Sequence, residues 1–123
     1  MNVVDSSGWL EYLADEANAD FFAKPLSRVS NLIVPAISIY EVFKRVLQQR
    51  DEGAALEVAA LMQQGKVVEL DSSLSMTAAS LSVEYKLPMA DSIILATSRE
   101  HNAVLWTQDA DFAGIDGVKY RAK

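Results

Sequence analysis

Short apolar runs separated by helical stretches are the feature that most constrains the fold of this chain. Runs typical of buried strands occur at 2–4, 31–34, 66–70 and 103–106, with a weaker one at 118–120. Strands that alternate with helices are joined by right-handed crossovers, which produce a parallel sheet covered on both faces. We therefore predict a three-layer α/β/α fold with a central, mainly parallel sheet of four to five strands.

Helical spacing and capping residues fill the intervals between the predicted strands. The segment 38–41 (SIYE) matches a capping box, which would place Glu41 in a first helical turn. Pro88 separates the last two helices, so that Asp91 also falls in a first turn. Besides a helix directly after Asp5, helices are predicted at about 17–24, from 38, at 52–64, at 71–85 and at about 90–100.

The composition limits the chemistry of any site. The chain of 123 residues contains no cysteine and one histidine. Disulfides and thiolate metal sites are therefore excluded, and a metal must be bound by oxygen ligands or by that histidine. A basic leader is absent at the N-terminus, and no apolar run approaches the ~20 residues that span a bilayer. We expect one domain over residues 1–123 that works in the cytoplasm, without a membrane.

The net charge of −6 disfavours tight, non-specific binding of duplex nucleic acid, because phosphate binding depends on basic surface. The objection weakens if several of the carboxylates lie in a metal site, where the ion neutralises them. Lys44 and Arg45 follow Glu41 by one helical turn. They are either ordinary residues of a solvated helix face or contacts for the phosphates of a nucleic acid bound nearby.

Acidic residues recur where predicted strands end or predicted helices begin. Asp5 directly follows the first strand and Asp109 follows the fourth. Glu41 and Asp91 lie in predicted first turns. Ligands of parallel sheets bind in the crevice beyond the carboxyl ends of the strands. Four carboxylates gathered there without His or Cys suit a hard cation, Mg²⁺ or Mn²⁺, and the pattern leaves one ion or two open.

Each of these four residues also has a purely structural explanation. Asp5 could cap a helix, and Glu41 could be only the second half of its capping box. Asp91 suits the positive end of the helix dipole, and Asp109 suits a turn. Taken one at a time, the four residues leave both interpretations open.

His101 and the aromatic residues are expected to have structural roles. His101 lies at the end of a predicted helix, where it complements the helix dipole. The aromatic side chains favour the core or a subunit interface, with base stacking as the alternative; they are Trp9, Tyr12, Phe21, Phe22, Tyr40 and Phe43.

Three segments and Glu41 together carry a family resemblance. The segments are 3–7 (VVDSS), 89–96 (MADSIILA) and 107–112 (TQDADF), which extend over essentially the whole chain. In their order and spacing they resemble PIN domains, and among these the VapC ribonuclease toxins of bacterial toxin-antitoxin pairs. The resemblance implies a single PIN domain over residues 1–123 with the three-layer PIN-like fold.

The resemblance also implies an activity, a Mg²⁺- or Mn²⁺-dependent endoribonuclease with an acidic quartet. Asp5 and Asp91 would be the principal metal ligands. Glu41 and Asp109 would complete the pocket and orient the attacking water. The implied partners are an RNA substrate, a cognate antitoxin that supplies a basic side chain to the pocket, and a second copy in a homodimer.

Two further positions are assigned by the resemblance, and one position has a competitor. Ser6, next to the first acidic residue, and Thr107 in the Thr-x-Asp turn are expected to support the site. Asp111 competes with Asp109 for the last acidic position. Asp109 is preferred because it lies nearer the strand end, whereas Asp111 is expected to fix the turn that Phe112 anchors.

Two other functional classes remain alternatives at this level. The same carboxylates would serve a PIN-like structure-specific DNA nuclease or a phosphatase. The chain could also be a catalytically silent PIN-like module that binds RNA or protein, because fold and function separate easily.

Overall fold

The structure, a computed structural model, describes residues Met1–Lys123 and contains one five-stranded sheet. The strand order is β3-β2-β1-β4-β5, and every neighbouring pair is parallel. The strands are β1 (Asn2–Val4), β2 (Leu32–Pro35), β3 (Lys66–Val68), β4 (Val104–Thr107) and β5 (Val118–Tyr120). The predicted parallel sheet is confirmed, including its fifth strand.

Six helices join the strands and cover the sheet. They are α1 (Ser6–Leu13), α2 (Ala19–Leu26), α3 (Ala36–Gln49), α4 (Glu52–Met62), α5 (Ser72–Tyr85) and α6 (Met89–Glu100), and short 3-10 turns lie at Val29–Asn31 and Ala110–Phe112. The predicted third strand, 66–70, ends earlier, at Val68. Beyond it the chain leaves the sheet, and Asp71 caps α5 by accepting a hydrogen bond from the Leu74 N–H.

The two faces of the sheet bury separate apolar clusters, because successive strand residues point to opposite faces. Val3 packs in one cluster with Leu81 of α5 and Ile94 of α6. Its neighbour Val4 packs in the other with Phe22 of α2 and with side chains of α1, α3 and α4. The sheet is thus sandwiched between α5–α6 and α1–α4, which confirms the three-layer α/β/α fold.

The strand order changes direction beside β1. From β1 the chain moves outward through β2 to β3, then returns to place β4 on the other side of β1. The carboxyl ends of β1 and β4 therefore lie side by side with no helix connecting them directly. Such a switch point is the usual ligand site of an open parallel sheet.

The start of α3 differs from the prediction. The helix begins at Ala36, so Glu41 is its sixth residue and lies in the second turn. The side chain of Ser38 is buried, and its Oγ has no hydrogen-bond partner, so the predicted capping box does not form. Pro35 precedes the helix with an extended backbone, and its fixed φ allows the chain to turn directly from β2 into α3.

The aromatic residues divide between core and surface. Trp9 and Phe22 are buried, as predicted. Tyr40 is 60% exposed and Tyr12 is also exposed, so the core placement was wrong for both of them. A subunit interface for these two side chains stays a prediction. None of the helices combines the length and the apolar character that crossing a bilayer requires.

Candidate metal centre

Asp5 lies directly after β1 and caps α1. Its carboxylate accepts hydrogen bonds from the Gly8 N–H (2.9 Å to Oδ1), from Ser7 Oγ (2.9 Å to each oxygen) and from Thr107 Oγ1 (2.6 Å to Oδ2). The residue is 2% exposed. The structural explanation of Asp5 as a helix cap is therefore correct. It does not exclude a ligand role, because the carboxylate also borders the cleft between the acidic side chains.

Thr107, the last residue of β4, connects two of the predicted acidic residues. Its hydroxyl donates to Asp5 Oδ2 and accepts a hydrogen bond from the Asp109 N–H at 2.9 Å. The side chain is fully buried; its bond to Asp5 holds the end of β4 against the end of β1, and its bond to the Asp109 N–H shapes the turn after β4. The hydroxyl of Thr107 thus bonds one predicted acidic residue and the backbone of another, and its supporting role in a functional site stays a prediction.

Asp91 and Asp109 come together with a third aspartate. One carboxylate oxygen each of Asp91, Asp109 and Asp111 lie within 4.8 Å of one another. The turn itself is fixed by Asp109, whose Oδ1 accepts the Asp111 N–H at 2.9 Å. The expectation that Asp111 fixes the turn is thus wrong, because it donates only its backbone N–H and its own carboxylate is left to join the acidic group.

Glu41 reaches the same cleft from α3. Ser6 Oγ donates to Glu41 Oε1 at 2.6 Å, which orients the glutamate side chain across the gap between α1 and α3. The cleft has a volume of ≈ 340 Å³ and is bordered by all four predicted acidic residues. Although Glu41 lies one turn later in its helix than predicted, its side chain still reaches the group.

The crowding of carboxylates changes their protonation. Burial raises the pKa of Asp91 from its usual 3.8 to about 7, and the nearby charges of Asp109, Asp5, Glu41 and Asp111 add to this rise. Burial also raises the pKa of Asp5 to about 6. The hydrogen bonds to Asp5 act in the opposite direction, but they do not outweigh desolvation.

Basic side chains border the acidic cleft without neutralising it. Lys44 and Arg45 of α3 line its rim together with Gln48. Neither cation pairs with a carboxylate, because the one ion pair of the molecule joins Arg121 to Asp20. Lys44 Nζ lies 5.8 Å from the centre of the Tyr40 ring, and contacts of Lys44 and Arg45 with phosphates stay a prediction.

The donor set fits a divalent cation. It consists of carboxylates, contains no histidine or cysteine, and has no basic side chain bonded to any of the four predicted acidic residues. Mg²⁺ and Mn²⁺ prefer such oxygen ligands. The raised pKa values of Asp5 and Asp91 indicate an excess of negative charge that a cation would relieve.

Two residues that support Asp5 were not predicted. Ser7 donates to its carboxylate, and Gly8 supplies the capping N–H. A Cβ on Gly8 would lie 2.6 Å from the Phe22 ring and 2.7 Å from Val4, so only glycine lets α1 start this close to the sheet. The sequence signal was present in Asp-Ser-Ser-Gly, which supplies hydroxyl and N–H donors directly after the aspartate.

His101 has the structural role that was expected. Its Nδ1 lies 3.1 Å from the Thr97 carbonyl oxygen at the end of α6. It does not border the acidic cleft.

Known structures resemble the chain over nearly its full length. A toxin-antitoxin complex from Klebsiella pneumoniae contains a chain that is 22% identical, with a TM-score of 0.81 over 97% of this chain and 96% of that one. VapC20 of Mycobacterium tuberculosis, a toxin that cleaves the sarcin-ricin loop, is 17% identical, with a TM-score of 0.77 over 94% and 95%. VapBC2 of Rickettsia felis, bound to a DNA fragment from its promoter, contains a chain that is 11% identical, with a TM-score of 0.74 over 98% and 97%.

At these identities the similarity concerns the fold. No curated protein matches the chain significantly in sequence. Residues 3–118, which include all the acidic residues of the cleft, match the PIN domain family. The chain therefore belongs to the PIN domain family.

Proposed function

We propose that this protein is a Mg²⁺- or Mn²⁺-dependent endoribonuclease and the toxin of a toxin-antitoxin pair. The observation that carries the proposal is the convergence of Asp5, Glu41, Asp91 and Asp109 on one cleft at the carboxyl ends of β1 and β4. Hydrolysis of a phosphodiester needs positive charge beside the phosphate, and a carboxylate cleft provides it by binding a divalent cation.

Different side chains around the cleft bind the RNA phosphates, bind the cation and orient the attacking water. Lys44 and Arg45 on the rim bind backbone phosphates and place the scissile phosphodiester over the carboxylates. Asp5 and Asp91 hold the cation. Glu41, oriented by Ser6, accepts a hydrogen bond from the attacking water. When bound, the cation stabilises the negative charge that develops on the phosphate oxygens.

The acidic residue for the direct test is Asp5. We expect Asp5→Asn to abolish RNA cleavage, because it removes one charge from the cation site while an amide oxygen still accepts the Gly8 N–H that caps α1. The measurement is Mn²⁺-dependent cleavage of a set of structured and single-stranded RNAs by purified protein. Asp116→Asn is the matched control, because Asp116 is exposed and does not border the cleft.

Two results would contradict the ribonuclease proposal. One is near wild-type turnover of Asp5→Asn with an unchanged far-UV spectrum. The other is cleavage of structured DNA, or of a phosphomonoester, in preference to RNA by the wild-type protein.

The toxin role rests on the PIN family and on the structural relatives, several of which are toxins or toxin-antitoxin complexes. A partner that inhibits this protein would place an Arg or Lys among the unneutralised carboxylates of the cleft. Exposed apolar side chains, which include Tyr40, Val83 and Met89, support a homodimer as well.

Expression and sedimentation test the toxin and homodimer proposals. Expression of the wild-type chain alone should stop bacterial growth, and expression of Asp5→Asn should not. Sedimentation equilibrium at micromolar concentration should give twice the mass of one chain. Harmless expression of active protein would remove the toxin role, and a monomeric mass would remove the homodimer.

A further inference from the structure

Three polar side chains outside the acidic cleft form a buried group. Glu11 of α1, Asn18 before α2 and Gln108 after β4 are 5%, 8% and 7% exposed. A buried carboxylate without a bonded cation is costly unless hydrogen bonds replace its hydration. Here they do, because every buried polar atom of the three side chains has a partner.

The hydrogen bonds of this group fix the orientation of each amide. Glu11 Oε2 accepts the Asn18 N–H at 2.9 Å, and Glu11 Oε1 accepts from Gln108 Nε2 at 3.1 Å. Asn18 Nδ2 donates to Gln108 Oε1, also at 3.1 Å. An ionised carboxylate only accepts, so Gln108 must turn its NH₂ toward Glu11 and its oxygen toward Asn18. The bond to the Asn18 N–H also holds the pKa of Glu11 below its usual value.

Gln108 lies between two residues of the acidic centre. Thr107 precedes it and bonds Asp5, and Asp109 follows it and borders the cleft. Gln108 Nε2 also lies 3.5 Å from the Ser7 carbonyl oxygen, in the first turn of α1, and Ser7 bonds Asp5. The buried group therefore ties the turn after β4 to the helix that Asp5 caps.

We propose that Glu11, Asn18 and Gln108 form a positioning clamp that keeps the Asp109 turn docked on α1 and so preorganises the acidic residues for a divalent cation. The proposal rests on the proposed metal-dependent function. Its physical basis is repulsion: carboxylates of like charge push apart in the metal-free protein, and each loop that carries one must be held by contacts elsewhere. None of Glu11, Asn18 and Gln108 lines the acidic cleft, so we assign them a positioning role.

An exchange of the two interacting groups tests the clamp. Glu11→Gln keeps the shape of the side chain, but its new NH₂ must face either the Asn18 N–H or Gln108 Nε2. Both of these groups are donors, so the variant loses one of the two hydrogen bonds. In the double variant Glu11→Gln/Gln108→Glu, the glutamine accepts the Asn18 N–H and donates to the new glutamate, which also accepts from Asn18 Nδ2. The double variant thus restores the three shorter hydrogen bonds at unchanged net charge and lacks only the 3.5 Å hydrogen bond to Ser7.

Mn²⁺ affinity measured by calorimetry, well below the melting temperature, is the main readout. We expect Glu11→Gln to weaken Mn²⁺ binding about 10-fold or more, as the loss of supporting hydrogen bonds does at other metal sites, and the double variant to recover most of the affinity. Amide exchange of residues 107–111 in metal-free protein should rise in Glu11→Gln and fall again in the double variant. Glu16→Gln is the control for charge alone, because exposed Glu16 borders the same neighbouring cleft as Glu11.

The outcomes separate the clamp from a merely structural role and from the proposed function. Unchanged Mn²⁺ affinity in Glu11→Gln, or an equal loss in Glu16→Gln, would overturn the clamp. If Glu11→Gln does not fold, Gln108→Ala replaces it as the test variant. Gln108→Ala removes the hydrogen bonds of Gln108 to Glu11 and Asn18, and we expect it to fold because the ≈ 280 Å³ cleft beside Glu11 lets water hydrate the carboxylate. If Asp91→Asn also leaves the Mn²⁺ affinity unchanged, the proposed metal site itself is wrong. The unchanged affinity of Glu11→Gln then reflects the wrong metal site.

Discussion

At the scale of single residues, the site combines carboxylates that have different tasks. The carboxylate of Asp5 accepts hydrogen bonds from Ser7, Gly8 and Thr107, and the bond from Thr107 holds the ends of β1 and β4 together. Asp91 is half-buried, and the two strongest charge effects on its pKa come from Asp109 and Asp5. A residue of this kind binds a cation most readily, because cation binding removes the repulsion that destabilises its charged form.

The two candidates for the last acidic position can be separated by substitution. We expect Asp109→Asn to lower the cleavage rate far more than Asp111→Asn, because Asp109 borders the cleft together with Asp5 and Glu41, whereas Asp111 approaches Asp91 and Asp109 without bordering the cleft. An asparagine at 109 still accepts the Asp111 N–H, so the turn is kept. Single-turnover cleavage of the same RNA by both variants is the measurement, and the reverse ranking would assign the position to Asp111.

The raised pKa of Asp91 predicts how stability depends on pH. Below pH 3.8 the carboxyl is protonated in both states; between 3.8 and about 7 the unfolded chain ionises while the folded protein retains the proton. The metal-free protein should therefore lose stability as the pH rises through this window. Asp91→Asn should melt at a higher temperature than wild type at pH 7 in EDTA, and the difference should shrink toward pH 4.

Addition of Mn²⁺ supplies the second half of this experiment. Mn²⁺ should raise the melting temperature of the wild-type protein by mass action and raise that of Asp91→Asn much less. Asp116→Asn, which changes an exposed aspartate outside the cleft, should behave like wild type. Equal Mn²⁺-induced shifts in wild type and Asp91→Asn would show that Asp91 does not bind the cation.

At the scale of secondary-structure elements, the start of α1 controls the position of Asp5. The helix begins immediately after β1, and its first turn contacts Val4 and Phe22 through Gly8. A side chain at this position would push the helix away from the sheet, and the Gly8 N–H that donates to the Asp5 carboxylate would move with it. The geometry of the acidic centre thus depends on helix packing as well as on its own residues.

Gly8→Ala tests this dependence. A new methyl group 2.6 Å from Phe22 should destabilise the protein by about 1–3 kcal/mol, as overpacking of a core does, and should weaken Mn²⁺ binding. Gly53→Ala is the control, because its Cβ would meet no atom closer than 3.5 Å and alanine favours the first turn of α4. Chemical denaturation of both variants measures the difference. A Gly8→Ala protein as stable as Gly53→Ala would contradict the packing argument.

At the scale of the whole molecule, charge is distributed unevenly. The protein carries a net charge of −6, yet the rim of its acidic cleft carries Lys44 and Arg45 without ion-pair partners. The negative net charge disfavours nucleic-acid binding by the molecule as a whole, while Lys44 and Arg45 offer phosphate contacts beside the acidic cleft. If the proposed activity is right, we expect RNA to bind through a few phosphates at the site, with a weak dependence on salt.

Neutralisation of the rim tests this distribution. In the Asp5→Asn background, Lys44→Gln/Arg45→Gln should weaken binding of single-stranded RNA and reduce the slope of log K against log salt by about 0.7 for each phosphate that the rim no longer neutralises. Lys66→Gln, at an exposed position on β3, is the control. Fluorescence anisotropy between low and physiological salt is the measurement. An unchanged slope in the double variant would exclude the rim from RNA binding.

The sequence alone determined the layers of this protein and most of its acidic centre. Short apolar runs specified the strands, because the central strands of a covered parallel sheet are buried on both faces and are therefore mostly apolar. Asp5 and Asp109 could be placed at strand ends, since a polar residue directly after such a run has to leave the sheet. Asp91 could be placed because Pro88 marks the start of its helix.

Only the tertiary structure decided how these residues meet. α3 starts directly at the end of β2, after Pro35, and the local capping motif at Ser38 is not used, so Glu41 lies one turn later than predicted. The carboxylate of Asp111 lies close to that of Asp91, which belongs to another segment of the chain. Gln108 likewise bonds Glu11 and Asn18, which lie far from it in the sequence. Local patterns report the conformation of neighbouring residues. Hydrogen bonds between buried side chains depend on the docking of separate elements, and no local pattern contains that information.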